Sequence, residues 1–151
     1  MITIRNIVPK THETFLVSKW LWSKWGTEKN LNYWVSWVES STFTECIPQT
    51  FVALEEGNIL GTVSLWRCDL QSRQDIFPWL GGLYVDESHR KKGIGAALQE
   101  HAFDIAIALG YDKLYMFTEI NGYFDRFGWI YMEDIPNESG EMVKLFYKKL
   151  K

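Results

Sequence analysis

Leu83-Tyr84-Val85-Asp86-Glu87-Ser88-His89-Arg90-Lys91-Lys92-Gly93-Ile94-Gly95-Ala96-Ala97-Leu98 decides the reading of this chain: a strand-like apolar triplet runs through a basic, glycine-bearing loop directly into a helix. Gly93 and Gly95 let a ligand approach the backbone without Cβ obstruction, and the first amides of the following helix are unpaired donors at its positive dipole end. A phosphate or pyrophosphate fits such a place. Two phosphate-binding motifs fail on these residues. A P-loop needs Lys-Ser/Thr after its last glycine, where Ala96-Ala97 stand. A dinucleotide fingerprint needs a third small residue three positions after the second glycine, and Leu98 occupies it. Arg90-x-x-Gly93-x-Gly95 remains, with Lys91 and Lys92 inside it.

The flanks read as alternating strands and helices. Downstream, Ile94, Leu98, His101/Ala102, Ile105 and Leu109 share one helical face, and Gly110 stands where a left-handed cap would end it. Leu114 to Thr118 reads as a strand, Asn121 to Phe127 as a short helix, and Trp129 to Met132 and Met142 to Lys148 as two last strands. Upstream, Pro78 can open the strand that carries Leu80, Leu83 and Val85, and Gly81-Gly82 inside it predicts a bulge. Phe51 to Glu55 and Ile59 to Arg67 form an antiparallel hairpin about Glu56-Gly57-Asn58, and Asp69 to Phe77 is polar and irregular. Near the N-terminus a strand over Ile2, Ile4 and Ile7-Val8 ends at Pro9. Thr11 then caps a helix that runs to Trp25 and stops at Gly26. Leu31, Trp34, Val35 and Val38 have the spacing of a second amphipathic helix, which fades at Ser40-Ser41. The predicted order is β-α-α-β-β-β-α-β-α-β-β, with no repeats or linkers, so residues 1–151 read as one α/β domain.

Composition narrows the function. The 151 residues, 46% hydrophobic and 23% charged, suffice for one full core. A net charge of −3 and a sequence pI near 5.6 recommend neither nucleic acid nor an anionic membrane as partner. Cys46 and Cys68 form no Cys-x-x-Cys pair, and His12, His89 and His101 lack metal-ligand spacing, so no metal is expected. Met1-Ile2-Thr3-Ile4-Arg5 has no basic region followed by an apolar stretch, and no apolar run approaches membrane-spanning length. A cytoplasmic protein is expected.

With these elements in place the chain resembles the GCN5-related N-acetyltransferases (GNAT), whose acetyl-CoA loop reads Arg/Gln-x-x-Gly-x-Gly/Ala after an apolar-x-apolar strand end, here Leu83-Tyr84-Val85. The similarity spans at least Trp79 to Trp129 and includes Leu109-Gly110-Tyr111 and the Asn121 to Trp129 segment that ends in Gly-aromatic. It implies a mixed, mainly antiparallel twisted sheet flanked by helices, with the strand ending at Leu83 to Val85 diverging from the strand near Leu114 to Thr118. Acetyl-CoA would enter that wedge as co-substrate. Leu83, Tyr84 and Val85 would hold the pantetheine arm by main-chain bonds, Arg90, Lys91, Lys92, Gly93, Ile94, Gly95 and Ala96 the pyrophosphate, and Asn121 and Phe124 would contact the cofactor. The Leu83 amide would polarise the thioester carbonyl, a contribution typically worth about 3 kcal/mol for one placed donor.

Two departures from the family pattern bear on catalysis. Trp79 stands where relatives often carry a glutamate base, which leaves Asp69, Asp75, Asp86 and Glu119 as nearby carboxylates; Glu119, at the end of the strand facing the wedge, is the preferred one. Phe124 stands where a tyrosine commonly protonates the leaving thiolate. The adjacent Tyr123 would point about 100° away on a regular helix, so packing is its expected role unless that helix is distorted. Five of the eight tryptophans lie between Trp20 and Trp37. Trp34 fits the buried stripe, whereas Trp22, Trp25, Tyr33 and Trp37 partly leave it and, with Asp69 or Asp75, could form an aromatic pocket for a cationic amine. The resemblance thus implies acetyl transfer to a primary amine, a small molecule first and a protein N-terminus or lysine second. Relatives commonly form homodimers. The alternative is a non-catalytic acyl-CoA-binding sensor or interaction module.

Overall fold

The computed structural model describes residues 1–150. Strand β1 (Thr3–Asn6) leads into helix α1 (His12–Trp25), which Thr11 caps by accepting the Glu13 amide at 3.2 Å. Glu13 also accepts from Arg5 Nη2 at 2.7 Å and from the Val8 amide at 3.0 Å, which ties the first strand to the first turn of the helix. Gly26 ends α1, its amide donating to Trp22 O. Helix α2 (Leu31–Glu39) buries Trp34 and Val38, and it ends at Ser40 as the sequence predicts. Strands β2 (Gln49–Glu55) and β3 (Asn58–Trp66) are joined by Glu56-Gly57, both at positive φ (52° and 82°), a turn whose twist suits antiparallel pairing.

After the irregular connection come β4 (Trp79–Val85), helix α3 (Ile94–Ala108), β5 (Lys113–Thr118), β6 (Ile130–Pro136) and β7 (Met142–Lys149). The seven strands form one sheet in the order β1-β2-β3-β4-β5-β7-β6. Strand β7 is therefore covered on both sides, and the outer edge is β6, whose Ile130, Tyr131 and Met132 are exposed. Helix α3 covers one face of the sheet, with Leu98, Ala102 and Ala106 fully buried against Phe51, Val63 and Leu114. Its buried side is rotated from the predicted one: Gln99, Phe103 and Ala106 are buried, whereas His101, Ile105 and Leu109 are half-buried. The cause lies at Trp129, which packs edge-on to Phe103 and donates its indole N–H to Gln99 Oε1 at 2.9 Å. Gly110, at φ 95°, closes the helix, with Tyr111 N bonded to Ala106 O and Gly110 N to Ile107 O. Helices α1 and α2 lie on the opposite face, over Val52, Trp66, Trp79 and Leu145.

The predicted helix over Asn121 to Phe127 is a single 3-10 turn, Phe124–Phe127. Gly122, at φ 79°, breaks the backbone path before Tyr123, so the first three residues of the predicted helix stay outside it.

Replacing Leu98, which is fully buried between α3 and the sheet, with alanine should cost about 2–5 kcal/mol in urea unfolding. Glu13 supplies a pH signature. The Arg5 guanidinium holds its carboxyl below the usual carboxylate range, so its contribution is present above the unfolded value near 4.3 and lost as pH falls through the lower folded value. The melting-temperature gap between wild type and Glu13→Gln should accordingly be widest at neutral pH and close on acidification.

Candidate active site

The site begins with a break in pairing between β4 and β5. These parallel strands share one paired position, Trp79 with Tyr115, where the Tyr115 amide donates to Pro78 O at 3.0 Å. Along its other edge β4 pairs with β3 to its end, but Thr62 faces Tyr84 while Ser64 faces Gly81, so β4 carries one extra residue. This is the bulge predicted from Gly81-Gly82, and Gly82 takes φ 61° within it. The Asp86 amide donates to Leu60 O at 2.8 Å, which by antiparallel alternation aims the main-chain groups of Tyr84 at β3. Those of Leu83 and Val85 consequently point toward the gap beside β5, the orientation needed to receive an extended ligand as an added strand.

At the mouth of the gap lies the start of α3. Gly93 is its N-cap at φ 83°, with no side-chain cap, and the first helical bond runs from Ala97 N to Gly93 O at 3.0 Å. The amides of Ile94, Gly95 and Ala96 therefore have no partner within the helix. A Cβ on Gly93 would meet nothing within 4 Å, so the space outside this turn is open. Lys91, at φ 64°, turns the loop, and Lys91 and Lys92 are exposed beside it. Three unpaired amides, two glycines and flanking lysines fit a pyrophosphate group in chemistry and in access.

Arg90 lies elsewhere. Its Nε donates to Val85 O at 2.8 Å and its guanidinium sits 5.3 Å from the Tyr84 ring, which stacks in turn on Trp20 of α1. One main-chain acceptor expected for pantetheine is thus already engaged by Arg90. Lys24, in the last turn of α1, is drawn into the same neighbourhood; burial, and then the charge of Arg90, push its ammonium pKa down. The sequence carries no signal for that approach, because it depends on where α1 ends relative to the loop.

Tyr123 is half-buried, edge-on to Phe124 at 4.7 Å and beneath the Arg126 guanidinium at 4.8 Å. Its hydroxyl reaches the first turn of α3: a Cβ on Gly95 would lie 3.0 Å from it. Tyr123 caps the 3-10 turn with helical dihedrals (φ −75°, ψ −48°), so its side chain still diverges from that of Phe124, and it is the Tyr123 hydroxyl that comes to the start of α3. Phe124 is buried in the α3-side core. Asn121 is exposed and does not cap the turn, whose N-cap is Tyr123. Glu119 is exposed, one residue beyond β5.

On the α1–α2 face the aromatic residues divide. Trp37 stacks on Trp34 with centroids 5.2 Å apart, meets Trp66 at 4.9 Å and, with Tyr33, Ser36, Ser40, Cys68 and Gln71, lines an open cleft of about 310 Å³. Trp22 and Trp25 are not part of it: the Trp22 indole donates to Thr27 O at 2.6 Å, and Trp25 is exposed beneath Lys24. Trp79 is fully buried, its indole donating to Ile76 O, and presents no base.

Residues 14–129 match the sequence profile of the acetyltransferase (GNAT) family, and the chain belongs to it. A search of curated proteins found no match. Among solved structures, an N-acetyltransferase from Staphylococcus aureus Mu50 superposes with TM-score 0.76 at 18% identity, covering 100% of this chain and 99% of the other. An aminoglycoside 6′-N-acetyltransferase complexed with coenzyme A gives TM-score 0.77 at 14% identity, covering 99% and 97%. The yncA protein of Salmonella typhimurium, solved with acetyl-CoA, gives 0.76 at 15%, covering 100% and 95%. At these identities the likeness is one of fold.

The contact between Tyr123 and Gly95 is separable by mutation. Gly95→Ala should lower stability in wild type and cost measurably less in a Tyr123→Phe background, where no hydroxyl opposes the new methyl group; a double-mutant cycle by chemical denaturation reads the difference.

Proposed function

We propose that this chain is an N-acetyltransferase that moves acetyl from acetyl-CoA to a primary amine by direct attack, with a small-molecule amine as the favoured acceptor and a protein N-terminus or lysine second. The observation that carries the reading is the coincidence, at one end of β4, of a strand edge turned toward the gap with the uncapped, glycine-lined start of α3.

In this reading the amides of Ile94, Gly95 and Ala96 hold the pyrophosphate, and Lys91 and Lys92 add charge in an exposed setting where salt weakens it. The main-chain groups of Leu83, with the N–H of Val85, align the pantetheine arm. The Leu83 N–H, fixed by the bulge, donates to the carbonyl oxygen on which charge grows as an amine attacks. Tyr123, whose hydroxyl already stands at the gap's mouth, is the proton donor closest to hand for a leaving thiolate, and Asn121 is free to bind the arm from the β5 side. The cleft lined by Tyr33 and Trp37 suits a small amine rather than a long peptide, and two of the structural relatives are aminoglycoside acetyltransferases. Trp79 and Phe124, in place of the family's usual acid–base pair, favour a second reading, a module that binds acyl-CoA without turning it over.

Isothermal titration with acetyl-CoA should show saturable binding by wild type and at least a 100-fold loss in Gly95→Glu, whose carboxylate would occupy the anion site. Thiol release with a panel of arylalkyl amines, polyamines and aminoglycosides should then depend on amine. Tight binding with no release across the panel would establish the module instead, and absence of binding would overturn both readings.

A further inference from the structure

With Trp79 buried where a base is usual, the proton of an arriving ammonium needs another acceptor. We propose that Asp69 is the general base of the transfer, taking that proton on the α1–α2 side of the β4 bulge, directly or through one water. The inference rests on the acetyltransferase reading above.

Asp69 follows β3 by three residues and folds back over β4. A Cβ on Gly81 would lie 2.9 Å from Asp69 Oδ2 and would collide with the Trp66 ring, so the carboxylate rests against a backbone position kept bare of side chain. Gly81 is two residues before Leu83, at most roughly 7 Å along an extended strand, which leaves room for an amine nitrogen and one water. Trp66 marks the face: it belongs to the cluster beneath α1 and α2, opposite α3 and its anion site. The residues flanking Asp69 on one side and just beyond it on the other, Cys68 and Gln71, line the aromatic cleft.

The other carboxylates are solvated or already neutralised. Asp75 is exposed and paired with Arg73 at 2.9 Å, Asp86 is bonded to Ser88 and His89, and Glu119 is exposed. Asp69 is half-buried as a residue, no donor or cation among the described residues meets its carboxylate, and loss of water pushes its pKa up to about 7. Among the groups around it, burial, and less so the Asp69 charge, raises the Cys68 thiol, Arg67 is exposed, Arg73 is held between Asp75 and Glu133, and Trp66, Trp79 and Gly81 bring no charge. A carboxyl near neutrality is well matched to proton abstraction at physiological pH.

The proton balance is complete with the two substrates alone. The ammonium R-NH3⁺ gives one proton to the Asp69 carboxylate, and the nitrogen lone pair forms the C–N bond as the C–S bond breaks. The departing thiolate is protonated by Tyr123, which regains its proton from the second N–H, and Asp69 returns the first to solvent. The products are the amide, free CoA thiol and one proton.

The test is Asp69→Asn in two measurements. In pH–rate profiles with the best amine of the panel, wild-type kcat/KM should rise through a limb near pH 7. The variant should lose that limb and about 100-fold or more in rate while binding acetyl-CoA as wild type does. In thermal unfolding the sign is opposite. The folded-state pKa lies above the unfolded value near 3.9, so between them the folded protein keeps a proton the unfolded chain has released, and the Asp69 contribution to stability falls as pH rises from about 4 to 7, opposite in sign to that of Glu13. Asp69→Asn should lack that fall and melt above wild type at pH 8. A variant that keeps both the rate and the limb would overturn the proposal and leave the transferase intact, as would a melting difference between wild type and variant that does not change with pH. Wild type that binds acetyl-CoA but releases no thiol would overturn the transferase reading and this role together.

Discussion

One main-chain constraint governs the site: β4 must stay hydrogen-bonded to β3 along its length yet part from β5 after a single paired position. The bulge at Gly81-Gly82-Leu83 reconciles the two, because an extra residue in β4 locally turns the strand and resets which amides face outward. Neither glycine could carry a side chain, since the Trp66 ring lies over both. The parallel relation of β4 and β5 then requires a crossover, which α3 provides, and this places the helix's uncapped start at the open end of the gap. The open strand edge and the uncapped helix start are thus two consequences of one piece of topology.

The two faces of the sheet are correspondingly unlike. The α3 face is a continuous apolar core from Ile47 and Phe51 through Leu98 to Phe146, with one buried side-chain bond of note, Trp129 to Gln99. The α1–α2 face is aromatic and less fully closed. Trp34 stacks on Trp37, which meets Trp66 at a tilt, and an open cleft lies beside Trp37. Asp69 belongs to this second face. An unpaired, desolvated carboxyl is a cost to stability that a purely structural residue would be expected to avoid, and its place beside the bulge gives that cost a use.

Much of this was legible in the sequence because it is written locally. The Thr11 cap, the Glu56-Gly57 turn, the Gly81-Gly82 bulge and the Gly110 cap each depend on a few consecutive residues, and each is found where the pattern places it. The start of α3 after Gly93 was readable for the same reason, whereas the turn of Arg90 back onto Val85 was not. What escaped depends on distant contacts. Nothing near Asp69 in sequence announces that its carboxylate will lie against Gly81, and a simple 3.6-residue face does not reveal that Trp129 turns Gln99 and Phe103 inward. The Asn121-Gly122 pair carried a local signal that the helical pattern obscured: a positive-φ glycine breaks the helix and brings the Tyr123 hydroxyl to Gly95.

Amide-resolved NMR during titration with coenzyme A tests the central claim most directly, because it reports which main-chain groups meet the ligand. The account predicts the largest perturbations at Leu83 and Val85 and at Gly93 to Ala97, with smaller ones at Asn121 and Tyr123. Perturbations confined to the Tyr33–Trp37 cleft or to the β6 edge, with the start of α3 unmoved, would contradict it.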